Sequence, residues 1–135
     1  MARIPEKIVT LLEGGHAFWV ATASADGWPN IAIKGSGAVA DPEHLFFADL
    51  FSKKTRVNLE HNPLVAVAIH DAEKHIAVQV KGRATLSESG PLYDTVVARL
   101  AEKAPSLPKP KYVVEIAVES VWDMTAGPNA GERIA

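Results

Sequence analysis

From His75 to Leu86 the side chains alternate: Ile76, Val78, Val80, Ala84 and Leu86 fall on one side, and His75, Gln79, Lys81, Arg83 and Thr85 on the other. Extended backbone turns successive side chains to opposite faces, so this segment predicts a strand with one dry face and one wet face. A half-wet strand of this kind belongs to an antiparallel sheet, and the neighbouring segments read as its partners. His16 to Ser24, rich in aromatic and β-branched residues, and Asn30 to Ala40 flank an Asp26-Gly27 turn and predict a hairpin. Leu45 to Asp49 predicts a third strand. Leu64 to His70, nearly continuous in apolar residues, predicts a fourth that is covered on both faces. The last strand, Tyr112 to Trp122, puts Tyr112, Val114, Ile116, Val118 and Trp122 on one face.

Helices punctuate this pattern. Ile8, Leu11 and Leu12 repeat at helical spacing between Ile4 and Glu13, and Gly14-Gly15 supplies a stop. A second helix fits between Ser52, a favourable N-cap, and the Asn62-Pro63 stop. A third carries Leu92, Val96, Val97 and Leu100 on one stripe, and a Pro-rich connector follows it. About six strands with a few short helices predict a mainly β protein, a small antiparallel barrel with helical plugs. With 135 residues and no internal repeat, the expectation is one domain over 1–135, opened by a helical segment (1–15) and closed by a tail (124–135) too poor in apolar residues to pack unaided.

Composition narrows the function. A formal net charge of −2 is a poor basis for nucleic-acid binding, which is driven by many Lys and Arg contacts to phosphate. The absence of cysteine excludes a disulfide framework, a thiolate zinc site and a cysteine nucleophile. The first fifteen residues alternate charged and apolar side chains, unlike a signal peptide or a membrane span, and the chain reads as cytoplasmic. The histidines show no metal-ligand spacing; His70 and His75 bracket a turn. No G-x-S-x-G elbow occurs. Gly35-Ser36-Gly37 lies inside a predicted strand, where glycines mark a bulge, alone or beside a ligand.

The second helix has its charges reversed. A helix N-terminus favours Asp or Glu, yet Lys53, Lys54 and Arg56 crowd the first turn and Glu60 lies near the other end. Unpaired backbone N–H groups, two ammonium groups and the hydroxyls of Ser52 and Thr55 make a socket for a phosphate ester. The competing reading is a solvated face on which Arg56 and Glu60 satisfy one another at i, i+4.

The order of pieces, ATASADGWPNIAIKGSG, then HLFFADLFSKKTRVNLEHNPLVAVAI, then VQVKGRATL, resembles the FMN-binding split-barrel family that includes the pyridoxamine-phosphate oxidases and small FMN-binding proteins. The resemblance implies an antiparallel split β-barrel of Greek-key type. It implies FMN as cofactor, with the phosphate on Lys53 and Lys54 and with Ser52 and Thr55 as hydroxyl partners. The isoalloxazine ring would lie against Ile31, Ala32, Ile33, Lys34, Gly35 and Ser36 and against Phe47, Ala48, Asp49 and Leu50. Where pyridoxamine-phosphate oxidases carry an Arg in the second strand and Tyr-Thr at the end of the third, this chain has Ala32 and Phe47-Ala48, so Lys34 and Ser36 are the expected replacements. The chain also lacks the family oxidases' C-terminal Arg-and-His segment, so it is not expected to be a true pyridoxamine-phosphate oxidase. The resemblance further implies a homodimer with flavin at the interface, Trp122 and the tail reaching the partner's flavin. The implied activity is an FMN-dependent oxidoreductase that passes electrons from a reduced nicotinamide or other donor to a small acceptor. The alternatives are a flavin-binding electron carrier without a substrate pocket, and a split barrel that holds haem or a deazaflavin.

Overall fold

The alternating segment forms a long strand near the middle of a single seven-stranded antiparallel sheet in the computed structural model, which describes residues 1–135. In chain order the elements are α1 (Glu6–Leu12), β1 (Phe18–Ala23), β2 (Pro29–Lys34), β3 (Ala38–Asp41), β4 (His44–Asp49), α2 (Lys54–His61), β5 (Leu64–Asp71), β6 (Ile76–Ser87), α3 (Pro91–Lys103) and β7 (Tyr112–Asp123). No helix is long and apolar enough to cross a membrane.

The sheet order is β2-β1-β5-β6-β7-β4-β3, so the two edges of the sheet are consecutive in the chain. They are joined only by Gly35, Ser36 and Gly37. The four Cα steps from Lys34 to Ala38 span at most about 14 Å, whereas the edges of a flat seven-stranded sheet would lie about 29 Å apart. The sheet must therefore curl until its edges nearly meet, which makes an antiparallel split barrel, open between β2 and β3. One side chain stitches the gap: the Ser36 hydroxyl accepts from the Ala48 amide at 3.0 Å and faces the Ala48 carbonyl at 3.3 Å. The segment Asn30 to Ala40 is thus two strands, not one, and the count is seven rather than six. Its glycines mark a crossing, not a bulge. Gly37 lies directly on the buried Phe18, where an added Cβ would come within 2.3 Å of the ring.

The core fills the barrel with Phe18, Val20, Leu45, Phe47, Val67, Ile69, Val80 and Ile116, and α1 plugs one end with Ile8, Leu11 and Leu12. A second apolar layer forms where Tyr93 and Val96 of α3 cover Phe46, Ala48 and Val113. Tyr93 donates its hydroxyl to the Pro110 carbonyl at 2.7 Å and ties the Pro-rich connector to the helix.

Three expectations change. β5 alternates rather than being covered on both faces: Val65, Val67 and Ile69 are buried, whereas Leu64 and Ala68 are exposed. On β7 the pairing shifts so that Lys81 faces Ser120 and Gly82 faces Val118, which leaves Glu119 as an extra residue. That bulge inverts the alternation beyond it. Val121, opposite Val80, turns inward, and Trp122 turns outward, away from the face of Val114, Ile116 and Val118. The tail is held mainly by backbone hydrogen bonds rather than by apolar burial: Ile134 donates to Val121 at 2.8 Å, Val121 to Ala135 at 3.0 Å and Asp123 to Glu132 at 2.9 Å.

Candidate functional site

The split leaves a cleft of about 1070 Å³ along the β2–β3 crossing. Its walls come mainly from Asn30 to Val39, from the loop and helix start Leu50 to Thr55 and from α3 with the connector behind it, and the end of α1 with His16 and the β4 residues Phe46 and Ala48 complete them. The short crossing brings β2, β3 and the β4–α2 loop together, and α3 reaches the cleft by packing Tyr93 and Val96 on Phe46, Ala48 and Val113.

One end of the cleft is the start of α2. The helix begins at Lys54 with Lys53 in the N-cap position, one residue later than the expected Ser52 cap, and no side chain caps it. The reason lies in the preceding loop, where Asp49, nearly fully buried, accepts the Ser52 amide at 2.9 Å and fixes the turn before the helix. The first turn has no acidic residue, and neither Lys53 nor Lys54 is in an ion pair. Both ammonium groups are exposed, and Thr55 beside them is buried. Arg56 and Glu60 approach to only 3.9 Å, and the Arg56 Nε is buried without a hydrogen-bond partner. The Arg56 guanidinium instead lies over the Tyr112 ring, 5.8 Å from its centroid. On the outer side of this turn a smaller groove of about 480 Å³ is lined by Lys53, Lys54, Arg56 and Lys111, so cations surround the helix start.

A match over residues 4–125 to the family model described as pyridoxamine 5'-phosphate oxidase covers nearly the whole chain. The chain belongs to that family. A relative from Methanocaldococcus jannaschii, described as an uncharacterized protein, is 35% identical over 139 residues that take in 100% of this chain and 90% of the relative. Among solved structures, HupZ of Group A Streptococcus is 28% identical with a TM-score of 0.82, over 95% of this chain and 99% of that one. An FMN-binding protein of Syntrophomonas wolfei shares the fold, with a TM-score of 0.80 over 91% of this chain and 87% of that chain, at 15% identity.

Within this pyridoxamine 5'-phosphate oxidase family member, Ile31 to Ser36, Ala48, Leu50 and Ser52 to Thr55 all line the cleft. Phe47, Asp49 and Trp122 do not. The Phe47 ring is fully buried in the core, and its contribution is to support Lys34, whose Nζ lies 5.7 Å above it. Asp49 sits behind the wall, 4.0 Å from that same Nζ. Lys34 is thus neutralised by a buried carboxylate, and the Ser36 hydroxyl is engaged by Ala48, so neither replaces a free cation. Trp122 lies on the outward sheet face, donates Nε1 to Ser120 Oγ at 2.7 Å and is flanked by Lys81 and Arg133. Asn58 of α2 is a clamp: it is buried and donates to Thr22 Oγ1 at 3.0 Å, fastening α2 to β1.

Sequence reasoning missed two parts of the wall, His16 and the α3 residues Arg99 and Lys103. His16 Nε2 lies 3.5 Å from Asp71 at the end of β5. The Asp71 carboxylate accepts the Lys74 and Glu73 amides at 3.1 Å each, and these amides, with His16 nearby, hold its pKa below the usual Asp value. A depressed folded-state pKa contributes stability above the unfolded value, about 3.9, that is lost as pH falls through the lower folded value. Urea midpoints of the wild type should therefore exceed those of Asp71→Asn at neutral pH, and the gap should close as the pH drops below about 4. A gap unchanged between pH 6 and 3 would show that this carboxylate does not titrate with folding.

Proposed function

We propose that the protein is an FMN-binding oxidoreductase that works as a homodimer, with the FMN phosphate at the start of α2. The observation that carries this reading is the uncapped α2 N-terminus, where two unpaired lysines open onto a flavin-sized cleft. The residues fit the group. Lys53, Lys54 and the free amides of the first turn supply donors for a phosphate. Gly35 leaves open space at the wall, since an added Cβ there would touch nothing within 4 Å. When bound, FMN supplies the hydride and electron chemistry. The chain's own part is to bind the phosphate, to present the β2 edge to the ring and to shield the cleft with α3. Membership in the family and the shared fold of an FMN-binding protein support the choice of FMN.

The dimer reading rests on the outward face of β1, β2 and β5, where Trp19, Ile31, Ile33 and Leu64 are exposed to 49%, 68%, 59% and 48%. Trp19 stands opposite both Ile33 and Ala68 in the sheet, so these side chains form one apolar patch that a second copy would cover.

The test is to purify the protein without added cofactor, record its visible spectrum, identify the released ligand by mass and sediment the loaded form. A yellow protein that releases FMN and sediments at twice the chain mass is expected. Released haem or deazaflavin, or colourless protein that ignores added FMN, would overturn the cofactor assignment. Turnover with a reduced nicotinamide distinguishes an oxidoreductase from a carrier.

A further inference from the structure

Of the side chains on the cleft walls, only His16 belongs to the residue type that ordinarily gains or loses a proton near neutral pH. The link from α1 to β1 holds its ring in place. Gly14 leaves room for it, since an added Cβ there would come within 3.2 Å of the ring Nε2. The same nitrogen lies 3.5 Å from Asp71 Oδ2. Asp71 is itself fixed: its other oxygen, Oδ1, accepts the Glu73 and Lys74 amides, which leaves Oδ2 to His16. Those amides keep the carboxylate ionised at neutral pH, so a permanent negative charge stands behind an imidazole that lines the cleft. The other charged groups on the walls are Glu13 beside the same link, Lys34, which has Asp49 4.0 Å away, Lys53 and Lys54 at the α2 end, and Arg99 and Lys103 on α3. On the Asp71 side the β5–β6 turn adds Glu73 and Lys74, with His70 and His75, both exposed and outside the cleft, next to it.

The strand β2 runs between the two ends of the cleft. Asn30 Nδ2 donates to Thr55 Oγ1 at 3.5 Å, beside the start of α2. Lys34, four residues on, pairs with Phe18, which follows His16 by two residues. Four residues of strand advance about 13 Å. A ligand with its phosphate at the start of α2 therefore carries its far end, the flavin ring, toward His16.

We propose that His16, backed by Asp71, donates a hydrogen bond to the polar edge of the flavin ring, and that binding draws a proton from solvent onto its imidazole. The inference rests on the reading that FMN fills the cleft with its phosphate at α2. A neutral imidazole carries one N–H, and an imidazolium carries two. One N–H turned to Asp71 is enough without ligand. A ring carbonyl that accepts from Nδ1 requires the second, so one proton is taken up and no bond of the ligand breaks.

The test binds riboflavin calorimetrically at pH 7 in two buffers of different ionisation enthalpy, which counts protons, and by dialysis at pH 6 and 8. Riboflavin is the probe because a phosphate titrates near pH 6 on its own account. The wild type should take up about half a proton and bind roughly fivefold more weakly at pH 8 than at pH 6, the response of an ordinary histidine whose titration moves up by about one pH unit on binding. His16→Gln keeps an N–H donor but cannot titrate, so it should still bind, take up no proton and lose the pH dependence. Asp71→Asn should take up less than the wild type at pH 7. His44→Gln, whose ring pairs with Asp41 outside the cleft, should match the wild type. Binding without proton uptake, or an uptake that survives His16→Gln or disappears in His44→Gln, overturns the inference alone. A survival accompanied by a lower urea midpoint would make His16 a structural tie between the α1–β1 link and β5. If neither riboflavin nor FMN binds, the cofactor reading falls, and this inference falls with it.

Discussion

Replacing Lys54 with alanine is expected to weaken FMN binding by about 2 kcal/mol, roughly thirtyfold, the scale of one charge-assisted hydrogen bond. Riboflavin, which has the same ring and ribityl chain without the phosphate, should bind nearly as before. Lys54 opens α2, carries no ion pair and lines the cleft, so its removal breaks no salt bridge within the chain. Without ligand, the substitution should leave stability unchanged or raise it slightly, since it takes a cation from the positive end of a helix. The opposite signs of the two effects separate the explanations. A solvated lysine would leave both ligands untouched, and a structural prop would weaken both together. Equilibrium dialysis of FMN and riboflavin against both proteins, with urea unfolding of the ligand-free forms, gives the comparison. Equal losses for the two ligands would remove the phosphate assignment.

The unusual start of α2 could be read from sequence because reversed helix charge is a local anomaly. Lys53, Lys54 and Arg56 at the start of a helix need no tertiary information to look misplaced. Even there, the loop altered the detail: Asp49 captures the Ser52 amide, and the helix starts one residue later. The alternation of Ile76 to Leu86 was legible for the same reason, as a period within one strand. What escaped depends on pairing between distant segments. The bulge at Glu119 has no local signature, because it exists only relative to the register of β6, and it sends Trp122 to the opposite face. The crossing at Gly35 to Gly37 did have a signal, two glycines in an apolar run, but a crossing and a bulge differ only in where the following strand pairs. The α3 wall was hidden because the docking of Tyr93 and Val96 on Phe46, Ala48 and Val113 is a contact between distant segments. The like-charged pair Arg99 and Lys103, beside the stripe of Val96 and Leu100, was the available clue.

The crossing itself yields the last prediction. Gly37→Ala should destabilise the fold by about 3 kcal/mol, toward the upper end of the usual cost of overpacking a core. The new Cβ would meet three atoms of the Phe18 ring at 2.3 to 2.6 Å. Neither side can yield easily: Phe18 is fully buried, and the crossing is pinned on one flank by the Ser36 contacts to Ala48 and on both ends by strands. Phe18→Ala alone should cost about 4 kcal/mol through lost burial and the cavity left behind. Combined, the two should cost little more than Phe18→Ala alone, because the cavity accepts the methyl group that the ring excludes, so the pair is strongly non-additive. The same clash bears on function, since Gly35 and Ser36 line the cleft on the same short link, and a displaced crossing moves that wall. Gly37→Ala should therefore weaken FMN and riboflavin alike, the reverse of the Lys54→Ala pattern. Urea unfolding of the two single variants and the double variant measures the coupling. Additive costs would mean that the crossing does not lie on Phe18, and would withdraw the argument that this contact shapes the split.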